Sequence, residues 1–572
     1  MDIEERKVCP IGISNFDKLR RGGYFYIDKT YLIQRLLDKK ENVVLFTRPR
    51  RFGKTLALSM LRRFFDCNAA EQNRSLFDGL IVAESEHHMA EQGQYPVIYI
   101  TLKDAKGTSL ASLLRYLHRA FIDALVPFDY LTQSERLSGR EQAIMEQLMS
   151  SLVPNSAATL EILDSVSASL GFICSMLAKH HGKPVVVLID EYDTPLQSAY
   201  LHGFYQTICD LMRNLFSSAL KDNECLRLGV LTGVLRIAKE SLFSGLNNLK
   251  VDTILSKNYA DCFGFTQAEV DSLADYYGAG DKKEEIKEWY DGYRFGELDI
   301  YNPWSVLQYF ESNCEPKAYW LDTSSNDLTK IFLKRLVKSP DSPVVQLSQG
   351  GTVIATVDSA ISYDQLETQA AGDSEADYQL YSLMAVTGYL KPVERERADR
   401  YNLKIPNREV RTIYAAEILS YLEQGLNIGK LALIGDAIVQ GQGQRFMELL
   451  NKYMTASMSY YDTVEAFYHG WLMGLLLILD EDYYCKSNRE AGNGRADVML
   501  TPRSGCKGPG IIFEFKYGDK PEQLPSKAEE ALQQIEERRY IEEFPLDSKE
   551  VFGYGMSFCA KECNITHKVW KR

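Results

Sequence analysis

The stretch Val43–Leu56, VVLFTRPRRFGKTL, constrains this chain more than any other. It opens as a short apolar, largely β-branched run and turns through basic residues and Pro49. It ends in Gly53-Lys54-Thr55, where a helical pattern starts. A loop that runs into a helix N-terminus aims free backbone N–H groups at one point, and the helix dipole adds partial positive charge there. That anatomy binds phosphate: Lys54 would reach the β- and γ-phosphates, and the Thr55 hydroxyl would ligate Mg²⁺. The pattern G-x-x-x-x-G-K-[ST] wants a glycine where this chain has Arg48, followed by Pro49. A basic strand-to-helix turn with a chance GKT is the alternative reading of this stretch alone.

Pro184–Pro195, PVVVLIDEYDTP, supplies what a nucleotide site needs next. An apolar strand ending in adjacent carboxylates would carry Asp190 to its C-terminal edge to hold a Mg²⁺-bound water. Glu191 would polarise the water that attacks the γ-phosphate. A further strand, Leu226–Leu231, ends in Thr232-Gly233, with Thr232 where a γ-phosphate-sensing side chain is expected. Arg236 and Lys239 follow, and read either as phosphate contacts, in cis or across a subunit interface, or as an ordinary helix-face pair. Tyr95–Leu102 reads as another buried strand. Around Tyr24–Thr30, Asp28 or Thr30 would cap a helix, or the aromatics would cover a nucleotide base. With Asp190 and Glu191 in place, the basic run Arg48, Arg50 and Arg51 reads as compensation for the absent glycine, its guanidinium groups replacing backbone phosphate contacts.

The pattern starts afresh near Tyr453. Val464–Ile478 reads as a helix with Glu465 in its first turn. Two short strands surround a Gly-rich turn at 490–495, the second carrying Asp497, and a third contains Ile511-Ile512-Phe513-Glu514-Phe515-Lys516. Period-2 geometry puts Glu514 and Lys516 on one face of that strand. A charged pair inside an apolar strand is costly unless it is used. Asp497, Glu514 and Glu465 would surround one or two Mg²⁺ ions, and Lys516 would orient or help deprotonate an attacking water, as phosphodiester hydrolysis requires. Gln534, on a following helix, would lie near this site or on a solvated face.

Composition bounds rather than decides. At 572 residues, three or four units are expected at ~150 residues per domain. A net charge of −13 argues against a uniformly basic nucleic-acid coat but permits a local basic cleft. The N-terminus lacks the apolar core of a signal peptide, and no stretch approaches the ~18 apolar residues of a membrane span, so a cytoplasmic protein with no membrane partner is expected. The eleven cysteines are dispersed and read as reduced core thiols.

With both sites in view the chain resembles the bacterial and archaeal predicted AAA-ATPase-like proteins that carry a C-terminal PD-(D/E)xK nuclease-superfamily domain. The resemblance lies in PIGISNFDKLRRGGYFYIDKT, TRPRRFGKT, VVLIDEYDTPL, LTGVLRIAKESLFSGLNNL, FGFTQAEV, GYLKPV, IPNREV, SNREAGNGRADVML and FEFK. The family also lacks the first glycine of the loop. The resemblance implies an ATP site at Gly53, Lys54, Thr55, Asp190 and Glu191, and a nuclease-like site at Asp497, Glu514 and Lys516.

The expected architecture is α/β: a P-loop NTPase core at 1–255, with a parallel sheet and helices on both faces, then a helical and winged-helix-like region at 256–450. A restriction-endonuclease-like α/β domain is expected at 451–572. The expected activity is ATP binding and hydrolysis coupled to Mg²⁺-dependent cleavage of nucleic acid, DNA ahead of RNA. A homo-oligomer, with Arg236 acting across its interface, would instead suit a remodelling ATPase. The other reading is an ATP-dependent sensor or scaffold whose nuclease-like domain holds nucleic acid or a partner without cutting. The lack of a conspicuous basic tract in the last third supports that reading.

Overall fold

The structure, a computed structural model, describes residues 7–153, 158–237, 248–320, 350–361, 377–397, 399–414, 428–457, 482–491, 494–503, 506–544 and 548–571, with the short pieces 242–243, 246, 343–348, 468, 472–473 and 475–479. The chain forms two compact units, Met1–Leu328 with Ile354–Glu409, and Thr329–Val353 with Val410–Arg572. The residues expected as a separate middle region are divided between them.

The first unit is built on five parallel strands: β1 Val43–Thr47, β2 Val97–Thr101, β3 Val185–Asp190, β4 Leu226–Gly233 and β5 Leu249–Asp252. Their order across the sheet is β2-β3-β4-β1-β5. Every residue of β1 and β3 is buried, so both faces of these strands are covered. That accounts for the unbroken apolar runs in sequence, where a half-solvated strand would alternate. β5, four residues long with only Leu249 and Val251 apolar and Lys250 exposed, carries too weak a signal for a strand to be read there. Within the stretch expected as helical and winged-helix-like, helix Asp377–Val386 is followed by β6 Lys391–Arg397 and β7 Arg400–Lys404, the strands antiparallel.

Glu409 closes this unit from within. Its carboxyl is fully buried, the Ser305 hydroxyl lies 2.9 and 2.8 Å from its two oxygens, and the Trp320 N–H donates to it at 2.8 Å. Burial pushes its pKa up from the ordinary 4.5 to about 8. A folded value above the unfolded one means that this group favours the fold fully below the unfolded pKa, an advantage lost as pH rises through the folded one. Urea midpoints between about pH 5 and about 8 should therefore fall less steeply with pH in Glu409→Gln than in the parent chain, by up to ~1.4 kcal/mol per pH unit.

The second unit holds a mixed five-stranded sheet: β8 Tyr483–Ala491, β9 Gly494–Pro502, β10 Gly510–Tyr517, β11 Glu550–Cys559 and β12 Glu562–Lys571, in sequential order. Only β10 and β11 run parallel, joined by a crossover that contains helix Leu524–Glu537. That helix buries Leu524, Ala528, Ala531 and Ile535, a 4-3-4 spacing that lines one stripe. Its backbone crosses β11 at Gly555, where an added Cβ would lie 2.3 Å from the Ala528 carbonyl oxygen and 2.4 Å from the Leu532 nitrogen. Both atoms are main chain and cannot swing aside, so Gly555→Val should lower stability by about 1–3 kcal/mol, read as a lower urea midpoint.

All eleven cysteines are free. Five are buried, but Cys506 is exposed, so the expectation of core thiols holds for only part of the set. No single helix among the described residues is long and apolar enough to cross a membrane.

Candidate functional site

The carboxyl ends of β1, β3 and β4 lie side by side, and ligands of open parallel sheets bind beyond such edges. From β1 the chain turns through Arg48–Gly53 into helix Lys54–Phe65. Arg51 (φ 70°) and Gly53 (φ 83°) are both left-handed, an alternation that turns successive N–H groups to one side. A Cβ on Gly53 would meet nothing within 4 Å, so the backbone angle rather than space calls for glycine there.

Three separate sequence motifs meet at Asp190. Thr55 Oγ1 donates to Asp190 Oδ2 at 2.8 Å, and Thr232 Oγ1 donates to Oδ1 at 2.6 Å. Burial raises the Asp190 pKa, while these hydroxyls pull it down. Glu191, with φ 51°, points its N–H at Thr232 Oγ1 (3.4 Å), and its carboxylate accepts from Thr194 Oγ1 at 3.1 Å. Lys54 is buried, its Nζ donating to the carbonyls of Arg48 (2.9 Å) and Pro49 (2.8 Å). Burial lowers its pKa, and the charges of Glu191, Asp193 and Asp190 oppose that shift.

A cavity of about 480 Å³ opens here, lined by Arg50, Arg51, Lys54, Thr55 and Glu191 and also by Ile11, Phe25, Tyr26, Phe265 and Trp304. Charged and apolar walls in one cavity of this size suit a nucleotide's phosphates and base. The Arg51 guanidinium lies 4.2 Å from the centre of the Trp304 ring, and Arg50 donates to Gln197 Oε1 at 3.1 Å.

Arg48 corrects the sequence reading. It was expected to supply phosphate contacts in place of glycine, but its side chain is wholly buried and ion-paired with Asp252 at 2.6 Å. It also donates to the carbonyls of Thr47, Asp252 and Tyr259. The Phe263 and Phe295 rings lie 5.2 and 5.0 Å from its guanidinium carbon. Arg48 anchors the start of the loop to β5 and is not among the residues that line the cavity. No signal for this exists in the loop itself, because its partner lies 204 residues away.

Asp193 was also missed. Buried, it accepts from the N–H groups of Val234 (2.9 Å) and Leu235 (2.8 Å), so the segment after Thr232 is held onto the end of β3. The Tyr192 hydroxyl reinforces this by donating to the Leu235 carbonyl at 2.6 Å. Arg236, in a two-residue strand paired with Ala360–Ile361, is half-buried; Lys239 lies outside the described residues.

In the second unit the β9–β10 register brings Asp497 beside Glu514. Asp497 Oδ2 accepts from the Phe515 N–H at 2.8 Å, and the Asp497 N–H points at Glu514 Oε2 (3.4 Å). Gln534 bridges the remaining pair: its amide donates to Glu514 Oε1 and accepts from Lys516 Nζ at 2.6 Å. Burial first, and the Asp497 charge second, push the Glu514 pKa up to about 8. Two oxygen-donor carboxylates with a lysine alongside fit a hard divalent cation such as Mg²⁺, whose charge would relieve that crowding. Among the described residues no third Asp, Glu, His or Cys completes a metal-binding group with them. Glu465, the third carboxylate expected, lies outside the described residues.

The fold and the two constellations define a P-loop NTPase-like α/β domain followed by a mixed-sheet, nuclease-like domain. Residues 10–243 match the family described as predicted AAA-ATPase, and residues 463–568 match the PD-(D/E)XK nuclease superfamily. The chain therefore carries a predicted AAA-ATPase-like domain and, at its C-terminal end, a PD-(D/E)XK nuclease-superfamily domain. It is similar to an uncharacterized protein in the vnfD 5′ region of Azotobacter chroococcum mcd 1, 28% identical over 582 residues and covering 97% of this chain and 96% of that one. The likeness therefore runs through both domains.

Proposed function

We propose that this chain binds and hydrolyses ATP in its first unit and, under that control, cleaves nucleic acid phosphodiesters in its second. The observation that carries the first half is the meeting of Thr55, Asp190 and Thr232 within hydrogen-bond distance beside a buried Lys54. In this reading Lys54 and the N–H groups from Arg50 to Thr55 bind the phosphates. Glu191 holds the attacking water, and Thr232 reports the terminal phosphate back to Asp190. Mg²⁺, when bound, neutralises phosphate charge, with Thr55 and Asp190 as its protein-side partners.

For the second half, the Asp497, Glu514 and Lys516 cluster supports hydrolysis. The two carboxylates would hold the divalent cation, with Glu465 as a third ligand. Lys516, kept in place by Gln534, would orient the attacking water. DNA is the first expected substrate and RNA the second. The reading is tested by incubating purified full chain with single-stranded and duplex DNA and RNA, with Mg²⁺ and with chelator, while phosphate release from ATP is followed in parallel. Metal-dependent products together with ATP turnover support it. Nucleic acid that is bound but never cut would leave the second unit a binding module, and absent turnover would remove the ATPase.

A further inference from the structure

We propose that Lys103, at the end of β2, binds the terminal phosphate of the nucleotide and so makes the first unit select a triphosphate over a diphosphate. This rests on the ATP reading above and adds a residue that none of the loop or strand motifs contains. β2 lies beside β3 with Thr101 opposite Asp190, and the Leu102 N–H donates to the Asp190 carbonyl at 2.9 Å. The residue after Leu102 therefore emerges next to the Asp190-Glu191 step. A tight turn fixes it there, with the Ala105 N–H donating to Leu102 O at 3.0 Å and the Lys106 N–H to Asp104 O at 2.8 Å.

Lys103 lines the same cavity as Lys54, Thr55 and Glu191. It is exposed, and among the described residues its ammonium group has no hydrogen-bond or ion-pair partner. Of the other cations on this wall, Arg50 donates to Gln197 and Arg51 lies over Trp304, while Lys54 spends two of its three N–H donors on carbonyls and keeps one for phosphate.

The loop itself leaves charge uncompensated. The Arg48 N–H is taken by the Gly233 carbonyl at 3.1 Å, Pro49 has no N–H, and the Arg48 guanidinium is committed to Asp252. A terminal phosphate entering this edge also faces two carboxylates, Asp190 and Glu191, whose like charge repels it. A lysine on the neighbouring strand end is placed to offset that repulsion, and its effect would fall on the outermost phosphate because the inner ones lie over the loop.

The test is equilibrium titration of MgATP and MgADP into full-length parent chain, Lys103→Ala, Lys103→Arg and Lys54→Ala. Loss of one charge-assisted hydrogen bond to phosphate should weaken MgATP binding to Lys103→Ala about tenfold, while MgADP changes less than about twofold. Lys103→Arg should keep most of the MgATP affinity. Equal weakening of both nucleotides, or unchanged MgATP affinity, overturns the assignment and leaves Lys103 a solvated loop residue. A parent chain that binds neither nucleotide overturns the ATP reading itself, and the assignment with it; that result is distinct from a failure confined to Lys103.

Discussion

Lys54→Ala should abolish ATP turnover, with phosphate release by the full chain falling by at least ~100-fold, the usual cost of removing a preorganised charge from a reacting centre. The structure gives the reason for so large an effect. Lys54 is buried beside Glu191, Asp190 and Asp193, and its ammonium is held by the two carbonyls that open the loop. Its charge is thus prepaid in a place where water contributes little screening. Loss of turnover in a variant whose circular dichroism matches the parent would tie the activity to Lys54; turnover within about twofold of the parent would show that the Gly53-Lys54-Thr55 loop is not where ATP reacts.

Asp497→Ala and Lys516→Ala should each remove metal-dependent cleavage, again by at least ~100-fold, as expected for groups that meet the metal or the attacking water. Gln534→Ala should act more mildly, by ~10- to 100-fold, because it works through the residues that it orients. That ordering separates a catalytic constellation from a merely structural one. Glu514 is 3% exposed and is linked through Gln534 to Lys516, so a structural cluster would make Gln534→Ala and Lys516→Ala equally harmful to folding. Product formation on gels, with thermal melts of each variant, distinguishes the two cases. Cleavage that persists in Lys516→Ala from a contaminant-free preparation would contradict the proposed role.

How much of this was legible in sequence follows from how local each signal is. β1 and β3 read correctly because a strand buried on both faces is an unbroken apolar run, and the residues ending them sit where the parallel sheet presents its carboxyl edge. Glu514 and Lys516 share a face because strand periodicity is a property of three neighbouring residues. Arg48 was misread because its role depends on Asp252, on a strand of four residues that is too short to be noticed. Asp193 and Lys103 were passed over for the same reason: one is defined by backbone groups of Val234 and Leu235, the other by the pairing of β2 with β3. Gln534 could be placed near the site from helix spacing. Its bridging of Glu514 to Lys516 depends on the close approach of helix and sheet that Gly555 permits.

The claim that one chain couples an ATP site to a nuclease-like site is tested most directly by titrating Mg²⁺ and Mn²⁺ against cleavage of DNA and RNA, with and without ATP, for the parent chain beside Asp497→Ala. Products should require metal, rise or fall with ATP, and vanish in Asp497→Ala. Cleavage indifferent to ATP would leave two independent activities on one chain, and cleavage that survives Asp497→Ala would contradict the site in the second unit.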